Sequence, residues 1–250
     1  SGSNQNNEVW VSRYNDSSAA LMPIIEAENF NNAFPNGTVL TNSAYSNGSA
    51  LQFTRTYTAS TYDLAGVWTL SSALLQQYGG MPVRVLAKFA TTTPAWMQLK
   101  LYYFDVTVLD QTPIIQQSTL ALQDLGMLNL PPWHVAGASA DLSIRLFCKM
   151  GQSESFTLDY FALVPANDCT TYVSRGYGIY NGETLIDDGI TGALSKTSGG
   201  THLGNFIKRP DDRLLLIPNE TQRLIVFQRD SQPSETMSVK AFYRERRLSL

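Results

Sequence analysis

The chain has 250 residues, of which 43% are hydrophobic and 16% charged, and its formal net charge is −3. This length and hydrophobic content support one large or two modest globular domains. Basic residues do not cluster, so we expect no nucleic-acid partner, and no apolar stretch approaches the length of a membrane span. A low charged fraction with abundant Thr, Ser, Asn, Tyr and Gly is typical of extracellular or virion β-proteins.

The first 20 residues are polar and rich in Asn and Ser, which predicts a flexible arm, although Val9–Val11 could pair with a sheet edge. From residue 21 onwards, short runs of β-forming residues recur between turn residues. One such run, Met97–Phe104, places Met97, Leu99 and Leu101 on one face and polar residues on the other, as in a strand packed on one side. The predicted strands are 38–40, 51–54, 66–70, 83–89, 97–104, 143–148 and 156–163.

Helical signals are short and few. Thr69–Tyr78 and Leu120–Met127 could each hold one helical turn, because apolar residues approximate helical spacing in both. Antiparallel strands at near-regular spacing, without intervening amphipathic helices, predict an all-β protein in which two sheets form a sandwich.

The strand pattern breaks near Pro165, where a Gly- and Tyr-rich stretch begins, and we place a domain boundary there. Beyond it, Asp212–Ile217 and Gln222–Phe227 flank a turn and predict a hairpin. A last strand is expected at Met237–Tyr243. The predicted organisation is therefore an arm at 1–20, a β-sandwich at 21–165 and a second, smaller β-sandwich at 166–250.

Three acidic residues lie where their neighbours favour burial. Alternation in the segment Ile25–Glu28 places Glu26 and Glu28 on one face of a strand, and Asp159 interrupts an apolar run more than a hundred residues later. Carboxylates held side by side need a cation, and an all-oxygen donor set suits calcium better than zinc or iron. In the alternative, the two glutamates line a solvated strand face.

Parts of this sequence resemble the carbohydrate-binding modules of families 6 and 35. The likeness covers roughly residues 20–165 and rests on a first strand reading Ile25–Phe30, on Ser46–Phe53, and on a closing strand reading Leu158–Phe161. It implies a jelly-roll β-sandwich in which the acids of the first and closing strands hold a structural calcium ion. By position these ligands are Glu26, Glu28 and Asp159, and a bound ion would stabilise the fold.

The C-terminal region has a second, weaker likeness. Residues 204–250 resemble the C-terminal β-domains of tailed-phage tail proteins, in a Leu-rich strand ending at Pro218 and a closing segment rich in Arg. Hairpin geometry alone could produce the same pattern. The resemblance implies attachment to a larger assembly.

Catalytic signals are poor. His134 and His202 are the two histidines, and no nucleophile elbow, paired zinc-binding histidines or phosphate-binding loop is present. Paired carboxylates could hydrolyse a glycosidic bond, but the remaining acids are scattered. We therefore expect no catalytic residues and no enzymatic activity.

Aromatic residues supply a better case for binding, because an aromatic ring packs on the apolar face of a sugar. Trp133 and Tyr45 are the predicted ligand-binding residues, whereas Trp68 and Trp96 lie in or beside strands and are predicted to be core. The sugar-binding pattern of the families is incomplete, since a single tryptophan follows Leu130–Pro132 where members commonly have two.

The predicted function is non-catalytic glycan adhesion, with a cell-surface polysaccharide as partner, in an extracellular or virion setting such as a phage tail or secreted assembly. Other subunits of that assembly, including copies of the chain itself, are further predicted partners. The alternatives are a purely structural virion or tail component that binds no sugar, and an accessory module of a glycoside hydrolase.

Overall fold

The computed structural model describes residues 8–15, 24–31, 37–55, 61–90, 95–117, 122–132, 142–166, 169–173, 182–188, 193–198, 201–204, 207–208, 222–228 and 240. Almost all of the regular structure in these residues is strand, so the predicted all-β class is confirmed. The strands are β1 Glu8–Asn15, β2 Ile24–Glu26, β3 Gly37–Thr41, β4 Ser49–Thr54, β5 Asp63–Thr69, β6 Pro82–Phe89, β7 Ala95–Tyr103, β8 Thr107–Gln111, β9 Ile115–Gln117, β10 Leu122–Asn129, β11 Leu142–Lys149, β12 Ser155–Pro165, β13 Cys169–Val173, β14 Glu183–Asp188, β15 Ala193–Ser198, β16 Thr201–Gly204, β17 Ile207–Lys208 and β18 Gln222–Gln228.

Two antiparallel sheets form the sandwich. The six-stranded sheet has the order β10-β6-β12-β4-β3, and β2 also pairs with β12. The five-stranded sheet has the order β5-β11-β7-β8, with β9 also paired to β7. Because β12, at the end of residues 24–165, pairs with β2 at their start, the chain between those limits closes on itself.

The core lies between these two sheets, and strand alternation explains its composition. Alternate residues of β6 and β7 point inward, and the inner faces of both sheets contribute aliphatic and aromatic side chains to one cluster. Trp68 is 1% exposed, and its ring meets that of Phe161 edge to face at 4.8 Å. The predicted core position of Trp68 is therefore confirmed. Cys148 is a buried free thiol, as expected for a small apolar residue.

Residues 8–15 are not a loose arm, and the prediction is corrected for this segment. They form β1, which pairs along its length with β18 and with β13 in a four-stranded sheet of order β17-β13-β1-β18. The polar composition of the segment misled the prediction, because its partners lie more than 150 residues away in sequence. The other predicted boundaries, 21–165 and 166–250, remain predictions.

The four-stranded sheet packs on the outer face of the six-stranded sheet. Trp10 is fully buried in a second apolar cluster, which also contains Phe227 of β18 and Leu86 and Val164 of the six-stranded sheet. The Tyr14 hydroxyl donates to the Leu163 carbonyl at 3.0 Å. A separate three-stranded sheet, β14-β15-β16, is tied to β13 by a bond from the Tyr172 hydroxyl to Asp187 at 2.8 Å. Predicted strands 212–217 and 237–243 lie outside the described residues, apart from Lys240.

One predicted helical turn is confirmed and one is wrong. Ser72–Tyr78 forms α1, whose first turn is capped by the Ser71 hydroxyl accepting from the Leu74 amide. Leu122–Asn129 is instead the strand β10, with a bulge between Asp124 and Met127. Gly126, at φ 104°, allows that bulge, and the extra residue separates the buried leucines by three positions, which imitates helical spacing. No helix in the described part of the chain has the length and apolarity of a membrane span.

Candidate functional site

The strand that carries the first of the two glutamates ends before the second. The strand β2 ends at Glu26, and Ala27–Asn29 form a single 3₁₀ turn. Ala27 is fully buried, and its carbonyl accepts a bond from the Trp68 indole at 3.0 Å, which draws the backbone towards the core. The prediction that Glu26 and Glu28 share one strand face is therefore wrong, because Glu28 lies on the turn.

Asp159 lies at a bulge in the closing strand. The register of β12 against β6 shifts between Leu158 and Tyr160, so the aspartate falls where the regular alternation is broken. Its residue is only 5% exposed although its neighbours in the strand are apolar. Tyr160, next in sequence, pairs with Glu26 of β2. This bulge places a carboxylate of the last sandwich strand beside the end of the first.

The turn Ser46–Gly48 connects the three acids. The Ser46 amide donates to Asp159 Oδ1 at 2.8 Å, and its hydroxyl donates to Glu26 Oε1 at 2.9 Å. Asn47 donates from its side-chain amide to Glu28 Oε1 at 3.2 Å. Asn47 adopts a left-handed conformation with φ 50°, which asparagine tolerates better than most residues. We call Glu26, Glu28, Asp159 and the turn 46–48 the carboxylate site.

Burial and mutual repulsion disfavour the ionised forms of the carboxylates in the carboxylate site. Burial, followed by the charges of Glu26 and Glu28, raises the pKa of Asp159 to about 6, against the Ser46 bond and the Lys88 charge, which lower it. Burial and the charge of Glu28 likewise raise the pKa of Glu26, although the Ser46 hydrogen bond opposes them. One oxygen of each glutamate, Oε2, is shielded from solvent and has no hydrogen-bond partner. A cation would relieve all of these effects at once.

The donors at this site suit a hard cation such as calcium, because every available atom is oxygen. Within the described ranges, however, no three His, Cys, Asp or Glu side chains are gathered as a metal-binding group. The structure brings the predicted ligands to one turn without assembling a coordination shell. Calcium at Glu26, Glu28 and Asp159 therefore stays a prediction.

The two predicted sugar-binding residues are not brought together. Tyr45 is half-buried immediately before the turn 46–48, where its carbonyl accepts from the Gly48 amide at 3.1 Å. Trp133 lies outside the described residues. Sugar binding by either residue stays a prediction.

A third tryptophan is placed where the sequence prediction did not expect it. Trp96, predicted to be core, is 46% exposed on the outer face of the five-stranded sheet. The alternation of β7 explains this, because Met97, Leu99 and Leu101 point into the core and Trp96 belongs to the opposite set with Gln98 and Lys100. That alternation was readable in the sequence, but the apolar nature of tryptophan outweighed it.

The neighbouring strand β11 extends this outer face with aromatic and basic side chains. Pairing sets Lys149 opposite Trp96 and Arg145 opposite Lys100. The Lys100 ammonium lies 4.9 Å from the ring centroid of Phe147, and the Arg145 guanidinium lies 4.1 Å from that of Tyr102. Arg145 is also ion-paired with Asp105. We call this surface the aromatic–cation face, and its members are Trp96, Gln98, Lys100, Tyr102, Arg145, Phe147 and Lys149.

The aromatic–cation face also offers hydrogen-bonding amides. Gln116 of β9 is paired with Trp96, and Gln98 donates from its side chain to the Thr112 carbonyl at 2.9 Å. A broad exposed ring flanked by amides and ammonium groups is the combination by which proteins hold sugars, whose rings have an apolar face and a polar rim.

No protein-family model matches this chain, and no curated protein does. Several solved structures are similar to part of it. An exo-β-1,3-galactanase from Phanerochaete chrysosporium, crystallised with galactose, is 19% identical over 58% of this chain and 30% of its own, with a TM-score of 0.36. The chain thus spans about a third of the length of that enzyme.

Two carbohydrate-binding modules are matched over nearly their whole length. The CBM22-1 xylan-binding domain of Paenibacillus barcinonensis Xyn10C is 14% identical over 62% of this chain and 94% of its own, with a TM-score of 0.34. The C-terminal family 22 module of Clostridium thermocellum Xyn10B is also 14% identical, over 66% of this chain and 98% of its own, with a TM-score of 0.35. At these TM-scores the likenesses do not decide a function, and the likeness to phage tail proteins gains no support.

Proposed function

We propose that this protein is a non-catalytic glycan-binding protein, and that the aromatic–cation face is its binding surface. The observation that carries the proposal is the exposure of Trp96 on a strand whose opposite face builds the core. A large aromatic side chain left in water on a rigid sheet gains free energy when an apolar sugar face covers it. Rigid strands also fix the positions of Gln98 and Gln116, so little order has to be imposed on binding.

A glycan-array screen of the full chain, followed by calorimetric titration of the sugars it identifies, tests this function. Saturable binding is expected, and Trp96→Ala should weaken it by about tenfold or more while leaving the fold intact. Trp68→Phe, which changes a buried ring, is the matched control and should keep the affinity. The proposal fails if the array shows no saturable binding, or if Trp96→Ala binds as tightly as the unmodified chain.

We propose calcium as the ion of the carboxylate site, where it would serve stability and not chemistry. Support comes from the two partnerless glutamate oxygens and from the raised pKa values of Asp159 and Glu26. When bound, the ion supplies positive charge to Glu26, Glu28 and Asp159, and so favours their ionised forms. The turn 46–48 orients these carboxylates, and binding requires them to draw closer together.

A second candidate function, subunit attachment in an extracellular or virion assembly, is favoured by one separate feature. The hairpin that joins β7 and β8 exposes four apolar side chains near its tip, including Val106 at 78%. Clusters of exposed apolar side chains are typical of surfaces that contact another protein. The exposed residues are Phe104, Val106, Val108 and Leu109.

Light scattering across a concentration series tests the attachment role. Concentration-dependent oligomers that Val106→Asp disperses would support attachment through the hairpin, with copies of the same chain as partners. Thr107→Asp, which adds the same charge at an already exposed position, is the control. A monomer at every concentration would remove self-association from this candidate function.

A further inference from the structure

Three of the seven basic residues in residues 1–165 lie together on one surface, where one of them, Arg145, is paired with Asp105. This part of the chain has eleven acidic and seven basic residues. Arg13 is buried, Arg55 and Arg84 are paired with Asp63 and Asp124, and Lys88 lies near enough to Asp159 to lower its pKa. The remaining three basic residues all belong to the aromatic–cation face, and they are Lys100, Arg145 and Lys149.

Two of these cations are set against each other. Arg145 and Lys100 are directly opposite on adjacent antiparallel strands, and like charges in that position destabilise a sheet. Asp105 supplies one negative charge, to Arg145. The Phe147 and Tyr102 rings offset part of the remaining repulsion through cation–π contacts. Among the described residues, Asp105 is the only acidic side chain that is ion-paired with this face, and a bound anion would offset the remaining repulsion.

We propose that the ligand of the aromatic–cation face is a carboxylated glycan, a polysaccharide that contains uronic acids. This inference rests on the proposed glycan-binding function and adds the chemical class of the sugar. Trp96 packs on a sugar ring, while the ammonium groups of Lys149 and Lys100 pair with carboxylates of the chain. Trp96 and Lys100 are four residues apart on one strand, about 13 Å, so an oligosaccharide is needed to reach both.

The test compares two probes with the same sugar backbone: oligogalacturonate, whose carboxylates are charged, and its fully methyl-esterified form, in which a methyl group removes each charge. The unmodified chain should bind oligogalacturonate at least about tenfold more tightly than the ester, because charge-assisted hydrogen bonds are lost with the ester. Rising ionic strength should reduce this preference, since the pairs form at the protein surface. A sulfated oligosaccharide is included to separate a requirement for carboxylate from a requirement for any anion.

Three variants locate the effect. Lys149→Gln combined with Lys100→Gln should bring the two affinities close together, and Trp96→Ala should weaken both. Arg223→Gln removes the same charge from β18, in the sheet on the far side of the sandwich, and should leave the preference unchanged.

The outcomes distinguish the two proposals. Equal binding of both probes, or tighter binding of the ester, overturns the acidic ligand and leaves glycan binding standing. A preference that survives Lys149→Gln with Lys100→Gln overturns the role of this face in selecting the acid. Tighter binding of the sulfated probe than of oligogalacturonate overturns the carboxylate assignment. Failure of the unmodified chain to bind any glycan overturns both proposals.

Discussion

The carboxylate site and the aromatic–cation face lie on different sheets of one sandwich and point their functional groups in opposite directions. In the first, one oxygen of each carboxylate accepts a hydrogen bond from the turn 46–48, which belongs to another segment of the chain. In the second, the Trp96 ring is exposed on the outer face of a sheet, away from the core. Removal of a group from the first should therefore change stability, and removal from the second should change binding.

The largest expected difference is between two tryptophans. Trp68→Ala should lower the free energy of unfolding by about 3–5 kcal/mol, because it opens a cavity and removes the indole bond to Ala27 beside the carboxylate site. Trp96→Ala should change it by about 1 kcal/mol or less, since 46% of the residue is exposed and it lies outside the core. Urea denaturation of both variants measures the difference. Similar losses would show that the outer face of the five-stranded sheet is covered within the fold.

Calcium should produce the next largest effect. At a free concentration one hundred times its dissociation constant, an ion that binds only the folded state adds about 2.7 kcal/mol to the free energy of unfolding. Asp159→Asn should abolish that gain. Asp110→Asn, which alters an aspartate on β8 bonded to Asn129, should retain it. Thermal denaturation with calcium and with a chelator provides the measurement, and identical melting temperatures in the two conditions would rule the ion out.

The pH dependence should have opposite signs with and without the ion. Asp159 has its pKa raised from 3.8 to about 6, so it binds protons more readily in the folded than in the unfolded chain. Its contribution to stability is then present below about pH 4 and is lost as the pH rises through about 6. Glu26, whose pKa is also raised, adds to the same trend.

Calcium favours the ionised carboxylates, so its stabilisation should instead appear as the pH rises above about 6 and vanish in acid. Melting curves of chelated and calcium-loaded protein across this range measure both trends. Asp159→Asn should weaken both trends and leave the contribution of Glu26. A chelated protein that gains stability between pH 4 and 6 would contradict the raised pKa values.

Much of the sandwich could be predicted because it depends on patterns within single strands. The alternation of Met97, Leu99 and Leu101 defines both faces of β7 without any knowledge of its neighbours. The same alternation assigned Trp96 to the outer face, so its exposure was in principle predictable from the sequence. The position of Lys149 opposite Trp96 was not, because strand order depends on pairing between distant segments.

The features that the sequence did not predict depend on local backbone breaks or remote partners. Glu28 left its strand because Ala27 is drawn to Trp68, forty-one residues away. The bulge at Gly126 gave the buried leucines of the strand β10 a spacing that resembles that of a helix. β1 found its partners in β13 and β18. For Glu28 and β1 the deciding contact lies outside any window in which periodicity can be read, and for β10 a local bulge alters the periodicity itself.

The smallest predicted change in stability comes from a variant that removes one of the two hydrogen bonds that Ser46 donates. Ser46→Ala removes the hydroxyl that donates to Glu26 but keeps the backbone amide that donates to Asp159. The expected loss in the free energy of unfolding is about 1 kcal/mol in chelated protein. Ser43→Ala, at an exposed position in the same loop, is the control and should have no measurable effect.

Because the backbone bond to Asp159 survives, Ser46→Ala should still respond to calcium, with a smaller gain than the unmodified chain. Its glycan affinity should be unchanged, since no member of the aromatic–cation face is altered. Denaturation and glycan titration of one protein preparation measure both properties. A loss of sugar affinity without a loss of stability would mean that the carboxylate site takes part in recognition, and the division of roles between the two regions would fail.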